Sequence, residues 1–249
     1  MAIFGIGLHV LVALFFAVHV IRSGQQMYWL LILFSFPMLG SIVYFIAIYL
    51  PNSRLDHGAR KVVAAAARSL DPTRELREAR AAFDYTPTAQ NQMRLAAAQL
   101  AAGDADGATA SYEACLQGPF SGDLEIRYGA ACANVAGKRA QAAIAHLELI
   151  RQRDPNFRAE PVSLLLAQAL AGAGRQDEAK AEFEFALARF GSFAARAEFA
   201  IWAAATGDAA LARQLYPELE RTMARWNGAT RDMNAALIRR LNSAMGGIR

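Results

Sequence analysis

Residues 164–187 read LLLAQALAGAGRQDEAKAEFEFAL, and this stretch decides the fold. Small or apolar residues recur at three- and four-residue spacing on both sides of Gly174, as on one face of a helix: Leu166, Ala167, Leu170, Ala179, Phe183 and Ala186. Glycine tolerates the left-handed backbone that ends a helix. The stretch therefore predicts two antiparallel helices that are joined by a turn at Gly174.

The same pattern returns along the chain. Glycines stand at 103, 137, 174 and 207, with spacings of 34, 37 and 33 residues. Seven residues before each glycine stands an alanine: Ala96, Ala130, Ala167 and Ala200. Five residues after each glycine stands another alanine: Ala108, Ala142, Ala179 and Ala212. Nine residues after each glycine stands a side chain with a ring: Tyr112, His146, Phe183 and Tyr216. One pair of helices cannot bury its own apolar stripe, so the units are expected to stack.

The unit resembles a tetratricopeptide repeat, a 34-residue helix–turn–helix motif. Asp154-Pro155 matches the terminal Asp-Pro of that motif, and the resemblance covers about residues 88–225 in four repeats. The second repeat is degenerate, because it has His146 in place of the aromatic residue and one extra residue before Pro155. The resemblance implies an all-α solenoid in which the first helix of each repeat lines a concave groove.

Helical patterns also flank the predicted repeats. Residues 54–87 suggest two helices, 58–70 and 72–84, and Ala79 and Phe83 repeat the spacing of a second helix, as in a degenerate half-repeat. Residues 226–249 are basic, and residues 229–245 predict one amphipathic capping helix with apolar side chains four residues apart: Met233, Leu237, Leu241 and Met245.

The first 53 residues have a different composition. They contain one charged side chain, Arg22, and their uncharged runs cover residues 3–21 and 27–50. About 20 apolar residues span a bilayer as a helix, so residues 1–53 predict a two-helix transmembrane hairpin. A cleaved secretory signal is the alternative, but the segment lacks a basic start and an A-x-A cleavage site.

Charge next to the hairpin predicts its orientation. Positive residues follow the second run, namely Arg54, Arg60, Lys61 and Arg68, whereas the loop between the runs carries only Arg22. Positive charge favours the cytoplasmic side, so the repeats should lie in the cytoplasm. The excess of arginine (23 Arg against 3 Lys) together with abundant alanine suggests a GC-rich bacterium, and hence the bacterial inner membrane.

Within the hairpin, Ala13 and Ala17 form a small-xxx-small pair, Pro37 should bend the second helix, and Gly40 again allows close helix packing. The segment from Trp29 through Tyr44 resembles the N-terminal membrane segment of cardiolipin synthases and phospholipase-D-type nucleases, over about residues 10–54. Those enzymes use His-x-Lys-x₄-Asp motifs, and no histidine in this chain is followed two residues later by Lys. The resemblance therefore implies a shared anchor and not their catalysis.

Two histidines, His9 and His19, fall in the first span. Ionisable groups inside a membrane can mark proton or ion paths. The two residues are about 80° apart around a helix and neither span contains an acidic partner, so neutral, helix-packing histidines are favoured.

The rest of the sequence offers little chemistry. It has no glycine-rich phosphate loop, zinc-ligand spacing or nucleophile elbow, so we predict no catalytic residue, cofactor or metal. The net charge is only +4, and no basic groove alternates with aromatic residues, which argues against nucleic-acid binding. Cys115 and Cys132 fall in helical patterns, which favours small core residues over a redox pair.

Binding is the predicted function. The resemblance places a partner groove at Met93, Arg94, Arg127, Tyr128, Asn134, Gln168 and Ile201. The leading hypothesis is a membrane-anchored, non-enzymatic adaptor that recruits a protein or peptide partner. An accessory subunit in phospholipid metabolism or envelope maintenance is the alternative. The basic end could also contact anionic lipid through Arg239 and Arg240, although a solvated cap surface is the simpler interpretation.

Overall fold

The computed structural model of the chain describes residues 14–18, 20, 34 and 73–247. The chain divides into two compact units, Met1–Pro72 and Thr73–Arg249. In the first unit, residues 14–18 are helical, Phe16, Ala17 and Val20 are buried, and Phe15 and Phe34 are exposed. The other hairpin residues singled out in the sequence lie outside the described residues: His9, Ala13, His19, Pro37 and Gly40.

The part of the chain that the structure describes is all-α. In the second unit it comprises α1 (Arg74–Tyr85), α2 (Ala89–Ala101), α3 (Ala105–Leu116), α4 (Leu124–Ala136), α5 (Ala140–Arg153), α6 (Ala159–Gly172), α7 (Gln176–Phe190), α8 (Phe193–Ala205), α9 (Ala209–Ala224), α10 (Gly228–Met233) and α11 (Ala235–Gly246). Helices α2 to α9 form four consecutive helical pairs over residues 89–224. We call α2, α4, α6 and α8 the A helices, and α3, α5, α7 and α9 the B helices.

Side-chain caps fix where several of these helices begin. The side chains of Thr88, Asp104, Asp123, Ser192 and Asp208 each accept a hydrogen bond from a backbone N–H in the first turn of α2, α3, α4, α8 and α9, respectively. These N–H groups have no partner within the helix, so each cap removes an unsatisfied donor. The abundant alanine supplies helix propensity between the caps.

The repeats stack through small residues and rings. Each helix from α1 to α8 packs on the next one, and each A helix also packs on the A helix of the following repeat. Within residues 73–247 the B helices do not pack closely on one another. Closer packing along the A helices curves the stack toward them, so the A helices line its inner side.

The region that we predicted as a degenerate half-repeat contains one helix, α1, in its described part. Helix α1 buries Ala79 against Leu95 and Ala98 of α2, and Leu76 and Phe83 pack around them. The predicted helix over residues 58–70 lies outside the described residues.

The turn of the second repeat differs from the sequence interpretation. In three repeats, the turn between the A and the B helix has a glycine with positive φ, at Gly103, Gly174 and Gly207. In the second repeat this conformation falls on Lys138 (φ 58°), whereas Gly137 has φ −81°. Arg139 N–H donates to the Asn134 carbonyl at 2.8 Å, which matches the bonds from Asp104, Arg175 and Asp208 in the other turns.

The repeat register must therefore be counted from Lys138. With this count the B-helix alanine is Ala143, which is fully buried, and Ala142 is exposed. The ring position belongs to Leu147, which is also fully buried, and not to His146. The extra residue noticed before Pro155 is explained in the same way, since it lies at the turn and not at the end of the repeat.

The C-terminal segment forms two helices where the sequence predicted one. The predicted helix over 229–245 breaks at Asn234, which ends α10 and precedes α11. Met233 is exposed, and Leu241 and Met245 are buried. The break redirects α11, which packs mainly on α8 and not on α9.

No helix within residues 14–18, 20, 34 and 73–247 has both the length and the apolarity needed to cross a membrane. Of the predicted spans 3–21 and 27–50, only residues 14–18, 20 and 34 are among the described residues.

Candidate functional site

An open cavity of about 620 Å³ lies between the A helices of the first two repeats. Four positions of each A helix recur in its lining, and they stand 13, 10, 9 and 6 residues before the left-handed turn residue. We call them the groove positions: Gln90, Met93, Arg94 and Ala97 in α2, and Glu125, Tyr128, Gly129 and Cys132 in α4. Leu100, Ala101, Tyr112 and Arg158 complete the lining.

Small residues explain why the cavity is here. The side chains of Ala97 and Ala101 extend only a short distance from α2, and Gly129 of α4 has no side chain. A Cβ atom at Gly129 would lie 2.5 Å from the ring of Tyr112, so glycine allows this ring to lie directly against the α4 backbone. The floor is therefore apolar and is formed by side chains that are already packed.

The rim of the cavity is charged but balanced. Arg158 forms an ion pair with Glu125 at 2.9 Å, and its guanidinium lies 5.2 Å from the centre of the Tyr128 ring. Arg94 donates to Glu75 of α1 at 2.9 Å, and Glu78 lies 3.9 Å away. Because each rim arginine already has a carboxylate partner, the cavity offers no unpaired charge to a ligand, and its selectivity should come from apolar contact.

Arg158 itself is held in an uncommon conformation. Its φ is +42°, in the left-handed region that most side chains avoid. The ion pair with Glu125 and the contacts with the Tyr128 and Phe157 rings hold the side chain in place. The hydrogen bond with Glu125 also raises the pKa of Arg158.

Burial keeps the two tyrosines and the cysteine of the cavity lining in their neutral, protonated forms. Burial raises the pKa of Tyr128 and of Tyr112 above the usual tyrosine range. Burial also raises the pKa of the Cys132 thiol, although a hydrogen bond with Tyr128 partly offsets this effect. A thiol with a raised pKa is a poor nucleophile, so Cys132 acts here as an apolar lining residue. Cys115 is buried, and both cysteines are free thiols.

Three of the seven residues predicted for the groove line this cavity: Met93, Arg94 and Tyr128. Gln168 occupies the equivalent groove position of α6, where it is half-buried. Ile201 occupies that position in α8, but it packs against the cluster that contains Leu241 and Met245 of α11. The structure thus brings the first three residues together and leaves Gln168 and Ile201 outside the cavity.

Arg127 and Asn134 do not lie in the cavity. The Arg127 guanidinium donates to the Ser121 carbonyl at 2.6 Å and lies 3.4 Å from Nδ1 of His146 on α5. Nε2 of the same histidine lies 2.7 Å from Glu113 of α3. Arg127 therefore sits among neighbouring helices, where burial lowers its pKa.

Asn134 is 1% exposed and serves the helix turn. Its amide donates to the Ala130 carbonyl, and its side-chain oxygen accepts a bond from Arg139. Arg127 and Asn134 were predicted for the groove but lie away from the cavity, because the sequence interpretation placed the register of the second repeat one residue too early. Counting from Gly137 instead of Lys138 rotates every position of α4 by about 100°, which moves a groove position into the packed interior.

The sequence interpretation missed three polar lining residues, Gln90, Glu125 and Arg158. Gln90 and Glu125 occupy equivalent positions once the second repeat is counted from Lys138, but the sequence interpretation did not include this position in any repeat. No sequence signal marks Arg158, because it reaches the cavity from the loop before α6.

The predicted lipid-contact arginines have separate environments. Both side chains are exposed, but Arg240 forms a two-pronged ion pair with Glu198 of α8, with N–O distances of 2.7 and 2.8 Å, whereas Arg239 forms no ion pair with the described residues. Glu198 is a groove position of α8. Arg240 therefore belongs to the packing of α11 on α8.

Metal binding has no candidate ligands in this part of the chain. Within the described residues, no group of three or more His, Cys, Asp or Glu side chains could hold a metal ion.

Comparison with known proteins supports the fold. No protein-family model matches the chain, and no curated protein matches it significantly. The resemblance of residues 10–54 to the cardiolipin synthase segment therefore gains no support. A solved structure, a thermophilic TPR protein from Thermus thermophilus, matches with a TM-score of 0.54 at 20% identity, over 68% of this chain and 88% of that chain. At this identity the match establishes a likeness of fold alone: the chain contains a tetratricopeptide-like helical repeat.

Proposed function

We propose that residues 73–247 form a protein-interaction domain that binds a partner in the cavity between α2 and α4. The observation that carries the proposal is an open apolar cavity on the inner side of the stack, whose charged rim residues are already paired. Binding surfaces of this kind gain affinity from a few central apolar contacts, while a polar rim excludes water. A non-enzymatic adaptor fits this arrangement.

We further propose that residues 1–53 anchor this domain in a bacterial inner membrane, with the repeats in the cytoplasm. The support is the sequence alone: two uncharged runs of 19 and 24 residues, and positive charge that is concentrated after the second. Arg239, which is exposed and forms no ion pair with the described residues, would be the residue available for contact with anionic lipid. A fluorescent protein fused after Arg249 should fluoresce, and an alkaline phosphatase fused there should be inactive. Active phosphatase would contradict this orientation.

A photo-crosslinking amino acid at Ala97 tests the binding site in living cells. Ala97 is exposed at the cavity, and Ala145 of α5 is exposed on a B helix outside its lining, so it provides the matched control. We expect a discrete crosslinked partner from position 97 and not from position 145, identified by mass spectrometry. The same product from both positions, or none from position 97, would contradict binding in the cavity.

A further inference from the structure

The chain carries a helix that is already seated on a groove surface. Helix α11 packs on α8 in a contact that involves three of the four groove positions of α8. Ala197 and Ile201 belong to the same apolar cluster as Leu241 and Met245, and Glu198 holds Arg240. The same positions in α2 are Met93, Arg94 and Ala97, and they line the open cavity.

The seated helix has a simple recognition pattern. Leu237, Leu241 and Met245 stand four residues apart on one face of α11, and the last two are buried. Residues at this spacing lie above one another on one side of a helix. One charged contact, between Arg240 and Glu198, accompanies the apolar face.

From this equivalence we infer that the partner of the α2–α4 cavity presents an amphipathic α-helix with large apolar side chains, such as Leu or Met, four residues apart. This inference rests on the proposed function of the cavity and adds the chemistry of the partner. An apolar helix face matches the cavity floor, which is built from Met93, Ala97, Leu100 and Cys132.

Charge explains why the apolar face dominates at this end. Glu198 is available to Arg240 in α8, but the same groove position in α2 is Arg94, which is already paired with Glu75. Glu125 is likewise paired with Arg158. A helix that enters the cavity therefore gains contact area without displacing a charge, whereas a highly charged extended peptide would have to break one of these pairs.

The test uses the chain's own helix as the probe. A fluorescently labelled peptide of residues 233–247 is added to the purified full-length chain, in which the α8 surface is already covered by α11. We expect saturable binding followed by anisotropy. A scrambled peptide of the same composition, in which Leu237, Leu241 and Met245 no longer stand four apart, should not bind.

Two variants locate the binding. Ala97→Trp fills the cavity from an exposed position and should weaken peptide binding at least about tenfold. Ala145→Trp adds the same ring outside the cavity lining and should leave binding unchanged. Equal binding to wild type and Ala97→Trp would overturn the inference, because the peptide would then bind elsewhere or exchange with α11. Equal binding of the scrambled peptide would overturn it as well.

Failure of the inference and failure of the proposed function are distinguishable. If position 97 crosslinks a cellular partner but the 233–247 peptide does not bind, the cavity binds a partner and the helical class is wrong. If the peptide binds in the cavity but position 97 captures nothing in cells, the recognition chemistry stands and the adaptor function loses its support.

Discussion

The two ends of the repeat stack share one sequence pattern but have different inner surfaces. Between α2 and α4 the groove positions leave an open cavity. Between α6 and α8 the interior is filled: Phe183 stacks on Phe199 at 5.6 Å, and Trp202 lies 5.8 Å from each ring. Helix α11 then covers α8 from the inner side. The repeat motif specifies the helices, and the residues between its landmarks decide whether a groove stays open.

The stability of the α6–α8 end of the stack should depend most on its aromatic rings. Phe183→Ala removes a side chain that is 1% exposed and stacked on Phe199, so we expect a loss of about 3–5 kcal/mol in the free energy of unfolding. Tyr112 holds the equivalent position at the open end, where its ring borders the cavity, so Tyr112→Ala should cost less. Chemical denaturation of both variants measures the difference. Equal losses would mean that the two ends are equally well packed.

The register of the second repeat can be tested with neighbouring alanines. Ala143 is fully buried between helices, so Ala143→Leu should overpack the interior and cost about 1–3 kcal/mol, as Ala179→Leu should in the third repeat. Ala142 is exposed, so Ala142→Leu should leave the melting temperature almost unchanged. If the two variants of the second repeat exchange these effects, Gly137 and not Lys138 sets the register.

The cover at the closed end depends in part on one ion pair. Arg240→Ala leaves the mostly buried Glu198 carboxylate without its partner, and we expect a loss of about 1–2 kcal/mol, since water can reach part of the site. Hydrogen exchange should show faster opening of α11. Arg239→Ala is the matched control, because this neighbouring side chain is equally exposed but forms no ion pair with the described residues. Similar hydrogen exchange in both variants would show that the ion pair does not hold α11 on α8.

The smallest expected effect concerns the turn of the second repeat. Lys138 adopts a left-handed conformation that glycine adopts in the other three repeats. Lys138→Gly should therefore raise the free energy of unfolding by up to about 1 kcal/mol, whereas Gly174→Ala should lower it. Thermal melts of the two variants give the sign. A destabilising Lys138→Gly would show that the lysine side chain makes a contribution larger than the strain of its backbone.

The sequence by itself determined the helical repeat, because alanine, ring and turn residues at regular spacing leave few other ways to bury one apolar face per helix. Three of the residues that it predicted for a partner groove, Met93, Arg94 and Tyr128, line the α2–α4 cavity, and their role in binding stays a prediction. Only the tertiary structure decided the register of the second repeat, since a lysine can adopt the turn conformation that sequence rules assign to the adjacent glycine. Tertiary packing also decided that a cavity stays open between α2 and α4 and that α11 covers α8. The small side chain of Ala97 and the missing side chain of Gly129 matter only when α2 meets α4, and α11 reaches α8 only because the chain breaks at Asn234. These outcomes depend on contacts between residues far apart in the chain, which local spacing does not encode.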